Sequence, residues 1–80
     1  RNALQKATEA LEAFERLGIQ QFTIRAMYEK AFCLEYCEKW TESINLVNVA
    51  INLCDKAKDK FWGVRMRLLK SRILTRRWFY

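Results

Sequence analysis

Apolar residues recur at three- and four-residue intervals along nearly the whole 80-residue chain, the spacing that lines them up on one face of an α-helix. Ala3, Leu4, Ala7, Leu11 and Phe14 make the first stripe, with Glu9, Glu12 and Glu15 between them, and predict a helix over 2–16. Asn2 suits its N-cap, and Gly18 suits the left-handed residue that follows a helix end. A second stripe, Ile24, Met27, Tyr28, Ala31 and Leu34, is widened by Phe22, Phe32, Cys33 and Tyr36 and predicts a helix over 20–37 with two apolar faces. A surface helix needs one such face, whereas a helix inside a stack needs two. The third helix, 41–54, carries Ile44, Val47, Ala50, Ile51 and Cys54 on one line and Leu46, Val49 and Leu53 on another, with Thr41 as the expected cap. After a polar joint at 55–60, a fourth helix is expected over 60–79, capped by Asp59. It carries Val64, Leu68 and Leu74 on one side and Trp62, Met66, Leu69 and Ile73 on the other. No alternating run or Asn-Gly turn signals strand, and proline is absent.

The pattern repeats. Sliding 24–40 onto 64–80, an offset of forty, pairs Ile24 with Val64, Arg25 with Arg65, Tyr28 with Leu68, Lys30 with Lys70, Ala31 with Ser71, Leu34 with Leu74 and Trp40 with Tyr80. A second offset, thirty-seven, sets Ala13 and Phe14 on Ala50 and Ile51. Periods of this size are written by helical hairpins that stack. The expected fold is therefore all-α, a fragment of an α-solenoid made of about four antiparallel helices. Ala31, Ser43, Ala50 and Ser71, with the turn aromatics Trp40 and Tyr80, are its expected repeat-packing positions, since small side chains let helices approach while an aromatic wedges the turn.

On these residues the chain resembles the tetratricopeptide (TPR) superfamily, over almost its whole length. Ala31 matches the family's first small position, Leu34 the large one after it, Trp40 the turn aromatic, and Ser43 and Ala50 the later small positions. Lys30 and Glu38 stand where the family favours Leu and Gly, and Asp55 lies where a terminating Pro is usual, so the resemblance is to TPR-like proteins with lengthened joints, such as axonemal scaffolds and motor light chains. The resemblance implies a protein–protein interaction scaffold within a larger, cytoskeletal or axonemal assembly. It also implies a concave groove lined by the first helix of each hairpin, displaying Arg25, Tyr28, Phe32, Glu35 and Tyr36, then Arg65, Leu69, Arg72 and Arg76. An acidic peptide or a neighbouring scaffold subunit is the implied occupant.

Charge sharpens this. Residues 1–54 hold six Lys/Arg against seven Glu, net −1, whereas 55–80 hold nine Lys/Arg against two Asp, net +7. An electrostatic partner would meet the last third of the chain. Basic residues there alternate with Trp62, Leu69, Leu74 and Trp78, so the competing function is a basic helical module that binds nucleic acid or calmodulin through residues 58–78. Enzymatic function is not expected: the chain has no His for general base work and no Gly-rich phosphate loop. No cofactor is expected, and Cys33 and Cys37, one helical turn apart, lack the further ligands that a zinc shell needs. Three cysteines within apolar stripes read as reduced thiols, hence a cytoplasmic setting. No stretch approaches a membrane span. About half of the residues are apolar, more than so small a core can hide, and the first residue is not Met, so the chain is expected to be cut from a longer protein.

Overall fold

The stripes fold into four α-helices in the computed structural model, which describes residues 2–79 and, for Asn2, the backbone alone. They are α1 (Asn2–Leu17), α2 (Gln20–Tyr36), α3 (Trp40–Ala57) and α4 (Lys60–Phe79), and no strand occurs among the described residues. Two- and three-residue joints force each helix back along its predecessor, so the all-α fold is a run of antiparallel hairpins.

All three joints are built alike. Gly18, Glu38 and Lys58 sit in the left-handed region, at φ 71°, 61° and 56°, twenty residues apart. In each joint the left-handed residue donates its N–H to the carbonyl three back (Glu15, Glu35, Asp55), and the next residue donates to the carbonyl five back (Phe14, Leu34, Cys54). This is the Schellman arrangement, which satisfies carbonyls that a helix end otherwise leaves bare. The following helix then starts with a bond from Thr23, Ser43 or Gly63 to the carbonyl of Ile19, Lys39 or Asp59. The geometry of the joints therefore repeats every twenty residues. The thirty-seven-residue offset is corrected by this: Phe14 occupies the place of Cys54, not of Ile51.

Two expected boundaries also move. The helix α3 begins at Trp40 and ends at Ala57, because its N-cap is Lys39 and its end is set by left-handed Lys58. Thr41 consequently lies inside the first turn, and no side chain caps this helix. Asp59 does cap α4, its Oδ1 accepting the Trp62 N–H at 3.1 Å. The Asn2 cap rests on a side chain outside the described residues, as does everything expected of Tyr80.

The helix α2 is central: it packs on α1 and α3 and touches α4, while α3 packs on α4 and α1 approaches neither α3 nor α4 among the described residues. Leu11, Ile24, Met27, Ala31, Val47, Ala50, Met66, Leu69 and Ile73 form one continuous core. Small residues set the closest approaches. Ser43, fully buried, donates its hydroxyl to the Ala31 carbonyl across α2 and α3 at 2.8 Å. At buried Gly63 an added Cβ would crowd the Arg67 guanidinium at 3.2 Å and come into ordinary contact with the Cys54 Cβ of α3 at 3.7 Å. The whole measures 37 × 29 × 15 Å, little thicker than one helix with its side chains. So thin a slab leaves large apolar side chains in water, among them Tyr36, Phe61, Val64, Leu68, Trp78 and Phe79.

Candidate functional site

The seam between α2 and α4 holds most of the expected groove residues. At its centre the Glu35 side chain is 1% exposed, and both of its oxygens are taken by arginines from α4. Arg72 donates from Nε to Oε2 at 3.0 Å and from a terminal nitrogen to Oε1, and Arg76 donates to Oε2 at 3.2 Å. Buried carboxylates survive only when paired in this way. The Glu35 bond pushes the Arg72 guanidinium above its usual value, so it stays charged at any ordinary pH. Each guanidinium also rests on an aromatic face: Arg72 lies 4.5 Å from the Phe32 ring centroid and Arg76 5.5 Å from that of Trp40.

An aromatic cluster continues the seam. Tyr28 meets Trp62 edge-on at 5.4 Å, Trp62 meets Phe61 at 5.6 Å, and Arg65 stacks on both Phe61 and Trp62. Between Tyr28 and the outer side of α4 opens a groove of about 700 Å³, floored by Phe61, Val64, Leu68 and Leu69. Its charged lining is entirely basic: Lys60, Arg65 and Arg72.

The nine expected groove residues lie on two neighbouring helices, but they are neither all in the seam nor equally displayed: Arg25 pairs with Glu29 at 3.6 Å and lines a cleft against Ala10 and Phe14 of α1. Arg25, Phe32, Tyr36, Arg65 and Arg72 are exposed, and Tyr28 and Arg76 are half-buried. Glu35 and Leu69 are corrections: both are buried, Glu35 under its arginines and Leu69 in the core. Of the repeat-packing positions, Ala31, Ser43 and Ala50 are fully buried and Trp40 packs on the core, whereas Ser71 is exposed, on the rim of an open cleft it shares with Asn48, Ile51 and Asn52 of α3. Three contributors were missed. Phe61 supplies groove floor and a seat for Arg65, and the buried small residues Thr23 and Gly63 share the register of Ser43 at intervals of twenty. That spacing was available in the sequence.

The basic helix is less open than its composition implies. Arg67 is held by both oxygens of Asp55 at 2.9 and 3.1 Å, Arg72 and Arg76 are held by Glu35, and Trp62 and Leu69 are engaged in packing. Cys54 is buried, Cys33 half-buried and Cys37 exposed. Burial pushes both the Cys33 and the Cys54 thiol up, which lowers their nucleophilicity near neutral pH. Among the described residues no cluster of three or more His, Cys, Asp or Glu could hold a metal ion, and no helix is long and apolar enough to cross a membrane.

The fold and this surface define an all-α protein of four antiparallel helices with a basic, aromatic-lined seam between α2 and α4. Comparison with protein-family models, with curated proteins and with solved structures finds no match to this chain.

Proposed function

We propose that the chain is a TPR-like segment of an α-solenoid whose role is to bind protein, with an acidic peptide or the acidic surface of a scaffold neighbour lying along the α2–α4 seam. The observation that carries this reading is the combination in that seam: exposed aromatics at Phe32 and Phe61, with exposed Tyr36 one turn beyond Phe32 on α2, beside charged groups that are all basic on the α4 side. Aromatics supply contact area at small entropic cost, and arginine pairs bidentately with carboxylates. The identical joints at twenty-residue intervals support the solenoid part, because stacked hairpins need a constant period. A cytoplasmic, cytoskeletal or axonemal setting belongs to the same proposal.

Nucleic-acid or calmodulin binding by α4 has less support, since two of its apolar anchors lie in the core and three of its arginines are paired. A direct test titrates the chain with a fluorescent Glu-rich peptide carrying Leu and Phe anchors, read by anisotropy. Phe32→Ala, Tyr36→Ala and Arg65→Ala, all at exposed positions, are expected to weaken binding about tenfold each, the effect of losing roughly 1.4 kcal/mol. Preferential binding of duplex DNA, with a steep salt dependence and indifference to Phe32→Ala and Tyr36→Ala, would replace this reading with the nucleic-acid one.

A further inference from the structure

The groove between Tyr28 and α4 offers a ligand hydrogen-bond donors and almost no acceptors. Three cations and an apolar floor make up the α4 side, and the Tyr28 hydroxyl is the only side-chain acceptor in the lining. The backbone of α4 adds none, because its carbonyls are taken along the helix axis. An extended peptide laid on such a floor would bury N–H groups with nothing to receive them, which costs more than the contact returns. A helix satisfies those groups internally and presents side chains alone.

The spacing of the groove also suits a helix. Exposed Phe61, Val64 and Leu68 follow one another at intervals of three and four residues, a ridge along α4. Arg65 and Arg72 flank that ridge, seven residues apart, which is two turns or about 10 Å along the axis. Arg65 is seated on the Phe61 and Trp62 rings, and neither it nor Lys60 meets an acid among the described residues. Arg72 gives Nε and one terminal nitrogen to Glu35 and keeps the other terminal nitrogen for a second carboxylate.

We propose that the acidic ligand of the seam binds as an amphipathic α-helix lying along α4. Its apolar stripe rests on Phe61, Val64 and Leu68, and two acidic residues seven apart, on the flank of that stripe, pair with Arg65 and Arg72. Two helices that cross at a shallow angle keep such a register over two turns. Lys60 to Arg72 covers about 18 Å, so the ligand needs about three to four turns. The inference rests on the acidic-peptide reading above and adds the conformation and register of the ligand.

Two fluorescent alanine-based peptides of about eighteen residues test it. The first carries Leu at three- and four-residue intervals and two Glu seven apart beside that stripe. The second replaces one central Ala by Pro, which a helix interior rejects and an extended chain accepts. The first is expected to bind and to gain helix signal in the circular-dichroism difference spectrum, and the second to bind at least about tenfold more weakly. Leu68→Ala and Arg65→Glu, both at exposed positions, should each weaken the first peptide about tenfold. Changing one of the two peptide Glu to Lys, and not the other, should restore binding to Arg65→Glu. Equal binding of the Pro peptide, binding without gain of helix, or rescue by neither Lys peptide overturns this inference and leaves the acidic-peptide reading standing. If neither peptide binds while the Glu-rich peptide of the earlier titration does, the helical ligand alone is lost; if none of them binds, both readings fall.

Discussion

A single buried carboxylate ties the two groove helices together, and it is the residue on which the seam most depends. Glu35 has two arginine partners that keep part of their side chains in water, so losing one arginine leaves the other to compensate. The double change Arg72→Ala with Arg76→Ala strands the charge in the core and is expected to cost about 3–5 kcal/mol, a large share of the stability of an 80-residue chain, measured as a fall in the urea midpoint. Glu35→Gln, which keeps the shape and removes the charge, should cost less than that. No sequence pattern reveals this pair. An isolated Glu on a helix reads as a solvent residue, and its partners lie 37 and 41 positions away.

The thiols are ranked by the same logic of burial. Iodoacetamide should modify exposed Cys37 first, and Cys54 only as the chain opens, followed by mass spectrometry. Because folding raises the Cys33 and Cys54 values above the ordinary thiol value near 9.0, the folded state holds those protons more firmly than the unfolded one. Their contribution to stability is complete below that value and is lost as pH rises through the folded values. The urea midpoint should therefore fall as pH rises above about 9, and fall less in Cys54→Ala.

At the scale of elements, the joints decide where helices stop, and their chemistry is uneven. Gly18 adopts its left-handed backbone without strain, whereas Glu38 and Lys58 carry a Cβ in a region that costs L-residues about 1 kcal/mol or more. Gly18→Ala should destabilise by about 1 kcal/mol through backbone alone, since a Cβ there would meet nothing within 4 Å. Glu38→Gly should stabilise by about 0.5–1 kcal/mol, read as a rise in the thermal midpoint. This asymmetry explains what was legible. Gly18 and Asp59 announce their roles by residue type, and four helices follow from apolar periodicity. Glu38 and Lys58 look like any polar residue, so the end of α3 was hidden, and the twenty-residue period showed only in the small residues Thr23, Ser43 and Gly63. In α4 the ambiguity was different: its two apolar lines are comparably greasy, and only the fold decides that Met66, Leu69 and Ile73 face inward while Val64 and Leu68 face out.

The molecule as a whole is a row of helices, each leaning on its neighbours, with the α2–α4 seam as its only tertiary contact beyond adjacent helices among the described residues. Such a layout has consequences for how the chain reaches its native state. Short-range hairpins close quickly because little loop entropy is spent, so folding should be rapid and able to begin at any of the three joints. The ion triad joining Glu35 to Arg72 and Arg76 needs two complete hairpins before it can form, which places it late in the sequence of events. In a stopped-flow chevron, Glu35→Gln should accordingly speed the unfolding limb and leave the refolding limb nearly unchanged, so that this buried charge sets how long the native state lasts rather than how fast it is found.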